Sequence, residues 1–392
     1  MSKELSVTVE RGTKQIGGCC TLIKYGNSCI AIDIGSELPG KTEKNLYIPE
    51  LMEKSAVNSC EALFLTHYHG DHIGEISKVA SNIKIYASET TKQVMNLYQN
   101  HMGTHSSFHV DIDRIRGMEY DRTVKVGDFL VTAIASDHSA IGAVMYLIEV
   151  GGKRILHTGD FRMHGNREIP LLHKKEIGNI DLLITEGTTL TRREGKEPWN
   201  EERVKQELER IYKKYKYVFV LVSSTNLDRL QIISEQVKRG RYFVVTEFQI
   251  QLMKLAEELD ECTFNKPLYY STSLDEKMEK RGFVMVVGYN TVSENLMKKY
   301  FDRYPQESCL IYSMWSGYLE CENIKKIADI AGDKMFYAHS SGHVTVDDLN
   351  EFIDKINPDK IIVIHTESTE KENINMRDRL ICAKDGEEIL VN

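Results

Sequence analysis

The sequence predicts an α/β protein in which a parallel-sheet module is inserted into a strand-rich host domain. Three observations carry that expectation. Residues 5–185 read mainly as short apolar strands joined by turns. Near residue 190 the texture changes to a strand-then-helix alternation, the rhythm of βαβ units. The strand-rich style then returns with Met335-Phe336-Tyr337-Ala338. At 392 residues the chain exceeds one ordinary core, so two domains are the default. The expected limits are 1–187 for the first part of the host, 188–335 for the insertion and 336–392 for the return segment.

The elements follow in order. Leu5 to Glu10, Cys20 to Tyr25 and Ser28 to Asp33 read as strands, with Tyr25-Gly26-Asn27 as a hairpin turn between the last two. Ala62-Leu63-Phe64-Leu65 is a buried strand, and Ile83 to Ala87 another, followed by a helix over Ser88 to Tyr98. Strands recur at Phe129 to Ala135, Ala143 to Val150, Arg154 to Thr158 and Asp181 to Thr185. Thr191 to Pro198 is a polar linker containing helix breakers. Asn200 then caps a helix running to Lys214. Val218 to Ser223 and Tyr242 to Thr246 are strands, each followed by a helix. A helix over Val346 to Ile356 and the strand Lys360 to Ile364 complete the host.

The apolar share of 41% and charged share of 28% describe a globular chain. No apolar run is long enough for a bilayer span, and the N-terminus lacks the basic and apolar regions of a secretory signal. The eight cysteines are scattered, apart from Cys19-Cys20, and form no CxxC pairs. Reduced thiols and a cytoplasmic location are therefore expected. The net charge of −8 argues against nonspecific coating of nucleic acid. That excess lies outside 188–335, where acidic and basic residues nearly cancel, so the middle segment is the place to seek a polyanion surface.

The most informative stretch is Thr66-His67-Tyr68-His69-Gly70-Asp71-His72, directly behind a buried strand. In extended backbone alternate side chains share a face, so His67 and His69 can converge on one ion. Gly70 lets the chain turn, and Asp71 and His72 can then face a second position. Imidazole suits zinc, manganese or iron, and a carboxylate suits the harder member of a pair. Other metal-capable residues also follow predicted strands: Asp33, His138, Asp160, Glu186 and His365. Strand ends aim loops while leaving them accessible, so six such placements point to one site.

Ser223-Ser224-Thr225-Asn226, between a strand and a helix, can offer hydroxyls and N–H groups to a phosphate. Arg229 lies one turn further, and Ser340, Ser341 and Gly342 allow close backbone approach beside His343. A helix cap with ordinary turn residues is the competing reading of these segments. His101, His105 and His109 fit a solvated or lid-like segment better than a metal-binding helix face. His157 reads as a packed neighbour of the site.

The motif at 66–72, the separate His138, and Asp160 in Thr-Gly-Asp-Phe-Arg resemble the metallo-β-lactamase fold. Asp137-His138-Ser139-Ala140-Ile141-Gly142-Ala143, Glu186 in Ile-Thr-Glu-Gly-Thr, His343 in His-Ser-Ser-Gly-His and His365 in Val-Ile-His-Thr-Glu resemble its β-CASP branch of nucleic-acid-processing nucleases, ribonuclease J-like enzymes in particular. The resemblance implies an αββα sandwich carrying an inserted β-CASP α/β domain, in a short form without the C-terminal domain of longer members. It implies two divalent metal ions, zinc first, with manganese or magnesium as alternatives. His67, His69 and His138 would hold one ion, and Asp71, His72 and His365 the other. Asp160 would bridge them and Asp33 would support the ligands from behind. Catalytic roles fall to Asp71, Asp160, Glu186 and His343, with His343 serving the leaving oxygen and Glu186 fixing its tautomer. Thr366 departs from the pattern, because many relatives have glycine after the last histidine.

The expected activity is hydrolysis of RNA phosphodiesters by metal-activated water, cutting internally, from the 5′ end, or both. A DNA nuclease, a small-molecule thioester or lactone hydrolase, and a non-catalytic nucleic-acid scaffold are the alternatives. RNA is the expected partner, with DNA open, no membrane, and a dimer neither required nor excluded.

Overall fold

The computed structural model describes residues 3–38, 56–103, 110–174, 178–191, 199–368 and 373–391. Parts of two expectations lie outside them, namely His105 and His109 and most of the 191–198 linker. The chain divides into two compact units, Met1–Lys196 with Gly342–Asn392, and Glu197–Ser341.

The first unit contains two seven-stranded sheets. Its strands before the second unit are β1 (Leu5–Arg11), β2 (Cys20–Tyr25), β3 (Ser28–Ile32), β4 (Ala62–Phe64), β5 (Lys84–Ser88), β6 (Ile115–Met118), β7 (Thr123–Val126), β8 (Phe129–Ala135), β9 (Val144–Val150), β10 (Lys153–His157) and β11 (Leu182–Glu186). The second unit holds β12 (Tyr217–Leu221), β13 (Tyr242–Val245), β14 (Leu268–Tyr269), β15 (Phe283–Val287), β16 (Ser308–Tyr312) and β17 (Met335–Tyr337). The first unit then resumes with β18 (Lys360–Ile364), β19 (Leu380–Ile381) and β20 (Glu388–Leu390).

One sheet of the first unit runs β20-β1-β2-β3-β4-β5-β6 and the other β19-β18-β11-β10-β9-β8-β7. They pack face to face through Val7, Ile23, Ile32 and Phe64 on one side and Val131, Tyr146, Ile155 and Ile184 on the other. Burial of alternate side chains on both faces explains why Leu182–Ile184 of β11 and Ile361–Ile364 of β18 are apolar at successive positions. Leu182, Ile184, Ile362 and Ile364 enter the core between the sheets. Leu183, Ile361 and Val363 point the other way, where Leu349, Phe352 and Ile353 of the helix Val346–Ile356 cover them. Sheets faced by helices on the outside make this the expected αββα sandwich.

Strand direction positions the functional loops. The strands β3, β4, β5 and β6 are parallel neighbours, as are β10, β11 and β18. The carboxyl ends of β3 and β4 therefore deliver Asp33 and the 66–72 segment side by side. Those of β11 and β18 pair Glu186 with Ile364 and bring His365 next to Gly187. Loops at the carboxyl ends of parallel strands are where α/β sheets place ligands.

All six strands of the second unit are parallel, in the order β14-β13-β15-β12-β16-β17. Side-chain caps start several of its helices, Asn200 among them as the sequence suggests. Asn200 accepts from the Arg203 N–H, and Thr246 and Gln249 form a reciprocal capping box. One boundary differs from the expectation. Met335–Tyr337 was expected to return to the host, but it pairs in parallel with β16 and lies in the second unit. A three-residue apolar strand carries no information about which sheet it joins; only the pairing decides. Among the described residues no helix is long and apolar enough to cross a membrane.

Candidate metal centre

Asp33 leaves β3 in the left-handed region, at φ 60°. One carboxylate oxygen accepts the Thr66 N–H at 2.8 Å. The other accepts the Thr66 hydroxyl and meets Nδ1 of His72, both at 2.8 Å. The buried carboxylate therefore fixes His72 with Nδ1–H donating and Nε2 facing Asp160, 3.1 Å away. Close packing backs this arrangement: a β-carbon on Gly159, at φ +56°, would lie 2.7 Å from the Thr66 β-carbon.

Nearby, one ligand atom each of His67, His69 and His138 lies within 4.8 Å of the others. Nδ1–H of His138 donates to the Gly342 carbonyl at 2.5 Å, which leaves Nε2 as a lone pair 3.2 Å from Nδ1 of His69. Nε2 of His67 is buried with no hydrogen-bond partner. Burial holds the imidazoles of His67 and His138 well below their ordinary pKa and brings His69 to about 4. Three neutral imidazoles converging with an unsatisfied buried nitrogen fit a cation, since such a nitrogen otherwise costs about 1–3 kcal/mol.

A second group comprises Asp71, His72, Asp160 and His365. His365 is left-handed at φ 53°. Thr188 donates its hydroxyl to the His365 carbonyl and accepts from His365 Nδ1 at 2.6 Å. Nε2 of His365 then faces Asp71, 3.2 Å away. Burial raises the Asp71 carboxyl, but the His365 hydrogen bond and the charges of His72 and His365 outweigh it, and the group stays below the carboxylate range. Asp160 is likewise held low by His365, His72 and His343 against its burial. For His72 the balance runs the other way, with Asp160 and Asp33 raising it despite burial. Carboxylates kept ionised among imidazoles form a donor set suited to a divalent ion.

Beside this group, Nδ1 of His343 lies 3.0 Å from one oxygen of Glu186, whose other oxygen accepts the Phe161 N–H at 2.8 Å. His343 is partly exposed, whereas Glu186 is buried. The two ligand loops are also tied together from behind. Asp137 and Arg162 form a fully buried pair at 3.0 Å, and the Asp137 carbonyl accepts the Arg162 N–H at 2.8 Å. This links the residue before His138 to the residue two after Asp160.

The residues expected at the metal site thus gather, along with the supporting Asp33, Glu186 and His343. Thr188, Asp137, Arg162 and Cys19 were not singled out as functional; the first three belong to the motifs of expected site residues, whereas Cys19 stands beside none of them in the sequence. For those three, a polar or charged neighbour of a ligand at a strand end was the available signal.

The phosphate candidates divide. Arg229 is fully buried, with its guanidinium bonded to Glu201 at 2.8 and 3.2 Å, to Ser313 at 2.6 Å and to Ser340 at 2.9 Å. Ser340 itself donates to Glu201 at 2.6 Å. Arg229 and Ser340 are therefore corrected to interior roles, because their hydrogen-bonding capacity is spent inside the second unit. Asn226 caps the helix Leu227–Glu235, as the competing reading held. Ser223 is exposed and Ser224 half-buried, and Ser341 and Gly342 are half-buried.

His157 is a packed neighbour of the centre, with Nδ1 accepting the Gly159 N–H at 3.1 Å and Nε2 buried without a partner. Burial lowers its pKa to about 4. Above pH 6.5 neither the folded nor the unfolded chain binds this proton. Below it the unfolded chain takes a proton that the folded one refuses, so stability is lost as pH falls toward 4. By pH 5 this residue should cost on the order of 2 kcal/mol. Denaturant unfolding at pH 7 and pH 5 should show that loss shrinking in His157→Asn; an unchanged pH dependence would reject the assignment.

The model of a beta-lactamase superfamily domain matches residues 31–212, and that of a Zn-dependent metallo-hydrolase RNA specificity domain matches residues 329–388. Endoribonuclease YSH1 of Eremothecium gossypii is 23% identical over 91% of this chain and 54% of its own length. Ribonuclease J of Mycolicibacterium smegmatis is 26% identical over 65% of this chain and 47% of its own. The chain belongs to the β-CASP branch of the metallo-β-lactamase superfamily. This β-CASP chain spans about half or less of the length of the curated relatives it matches first. A DNA cross-link repair protein SNM1 of Arabidopsis thaliana is 31% identical over 31% of this chain and 23% of its own. A solved protein of unknown function from Enterococcus faecalis shares the fold of the β-CASP chain, with a TM-score of 0.78, 23% identity and coverage of 99% and 100%.

Proposed function

We propose that this chain is a metal-dependent phosphodiesterase that hydrolyses RNA. The observation that carries the reading is the Glu186–His343 pair, 3.0 Å apart, set against the Asp160 and His365 ligand group. A thiolate expelled from a thioester leaves without protonation, whereas the alkoxide expelled from phosphorus needs a proton donor at this place. The RNA specificity domain match over 329–388, which includes His343 and His365, supports the same substrate.

His67, His69 and His138 would hold one ion, Asp71, His72 and His365 the other, with Asp160 shared between them. Two divalent ions, zinc in this reading, would supply water activation and charge neutralisation at the phosphodiester. The chain's own residues do the rest. Asp33 and Thr188 hold His72 and His365 in the tautomers that leave Nε2 free to bind. Glu186 engages Nδ1–H of His343, which raises the basicity of the ring and lets Nε2 carry a proton to the leaving oxygen. Ser223, Ser224, Ser341 and Gly342 remain as contacts for the RNA backbone, and the region 197–341 would be the β-CASP domain.

His343→Ala and Glu186→Gln should each lower kcat about 10²–10⁴-fold with full metal content retained. Metal loss accompanying either change would make the residue a ligand or its support instead. Ser341→Ala should raise KM for RNA by several fold with kcat nearly unchanged, since a phosphate contact made equally in ground and transition states affects binding alone. The activity itself is tested with metal-quantified protein and matched 5′-monophosphate, 5′-triphosphate and circular RNAs, with single-stranded DNA alongside. Cleavage of circular RNA would establish internal cutting, and mononucleotide release dependent on the 5′ group would establish exonuclease action. Cleavage of DNA alone would overturn the RNA reading, and no cleavage with zinc, manganese or magnesium would overturn the nuclease reading.

A further inference from the structure

Cys19 lies in the same cluster as two of the histidines assigned above, and the proposed chemistry does not use it. We infer that Cys19 supplies a sulfur ligand to the ion held by His72 and His365, an inference that rests on the metal reading above. Sγ of Cys19 and one ring nitrogen each of His72 and His365 lie within 4.8 Å of one another. All three side chains are at most 2% exposed.

The backbone holds the thiol in register with the ligand loop. The Cys19 N–H donates to the Asp71 carbonyl at 3.0 Å, and the Cys19 carbonyl accepts the Gly35 N–H at 2.9 Å. One residue on, the Ile34 N–H donates to the His72 carbonyl at 2.7 Å. A β-carbon at Gly35 would fall 1.6 Å from the Asp71 carbonyl oxygen, so this approach needs glycine. On the far side, a β-carbon at Gly12 would lie 3.8 Å from the Cys19 sulfur and 3.5 Å from the His365 nitrogen of the main chain. The sulfur therefore lies on the side of His365, and two ligand-bearing segments and the loop after Asp33 are fixed relative to it.

Cys20 makes the contrast. It is equally buried at 1% exposed, but as the next residue in extended backbone it faces the opposite way and joins none of the ligand groups. A buried cysteine that merely fills space has no reason to stand among two imidazoles; a thiol that gives up its proton to solvent on binding a cation does. Thiolate is a soft donor, so the second position should prefer zinc or cobalt to manganese or magnesium.

Cobalt(II) titrated into the full metal-free chain is the probe. Wild type and Cys20→Ala should both show visible ligand-field bands together with a near-ultraviolet sulfur-to-cobalt charge-transfer band. Cys19→Ser should keep the visible bands, lose the charge-transfer band, and bind the second cobalt about tenfold or more weakly. A wild-type spectrum with visible bands and no charge-transfer band overturns the sulfur ligand and leaves the metal reading intact. Survival of that band in Cys19→Ser overturns it as well. Failure of wild type to bind cobalt overturns both. Should Cys19→Ser fail to fold, Cys19→Ala is read by the same criteria. X-ray absorption of the wild-type cobalt form decides independently of any variant, through the presence or absence of a sulfur neighbour.

Discussion

Asp160→Ala is expected to lower RNA cleavage by about 10³-fold or more, because a shared metal carboxylate supports several kcal/mol of transition-state stabilisation. Asp160 stands 3.1 Å from His72 and 3.5 and 3.7 Å from His343 and His365, so its removal disturbs the ligand group and the proton donor together. The variant should also bind less metal, read by elemental analysis after gel filtration. The fold should survive, because the side chain takes no part in the hydrophobic core and His72 keeps its bond to Asp33. Near-ultraviolet circular dichroism checks that point. Wild-type turnover by Asp160→Ala would reject the shared-ligand assignment outright.

Arg229→Met is expected to destabilise the second unit by about 3–5 kcal/mol, the cost of leaving Glu201 buried and ionised without its partner. The pair is closed at 2.8 Å, with Arg229 fully buried and Glu201 4% exposed, and it organises Ser313, Ser340 and the Ala338 carbonyl around it. The double variant Arg229→Met with Glu201→Gln should recover much of the loss, because no net charge is then stranded. The chain has two tryptophans, Trp199 and Trp315, and both lie in the second unit. Tryptophan fluorescence in urea therefore reports this unit selectively. A shift of under about 0.5 kcal/mol, the range of an ordinary surface substitution, would instead return Arg229 to the role of an accessible phosphate contact.

Arg229 also illustrates what could be read from residues alone. One turn into a helix behind a serine-rich loop, an arginine is equally suited to a phosphate or to an interior carboxylate. Its partner, Glu201, is 28 residues away, in a segment with no local signal connecting the two. The metal residues were more legible because their spacing is local: His67, His69, Asp71 and His72 share one loop, and a strand precedes each remaining ligand. Some element starts were legible for a similar reason, since the Tyr25-Gly26-Asn27 turn and the Asn200 cap act over a few residues.

The pairings that hold those ligands were not legible. Thr188 against His365 and Asp137 against Arg162 are ordinary polar residues until two strand ends meet. The same holds for Met335–Tyr337, whose sheet is chosen by pairing with β16 rather than by its own composition.

By itself the sequence determined the order of strands and helices, the α/β class and the set of side chains able to bind metal, because periodicity, capping and loop spacing act over a few residues. Tertiary structure alone decided which ring nitrogen of His72, His138 and His365 is bonded to the protein, which carboxylates stay ionised, and that Arg229 faces inward while Cys19 lies near His72 and His365. Those outcomes depend on burial and on hydrogen bonds between segments as much as 294 residues apart, whose electrostatic strength exists only once water has been excluded.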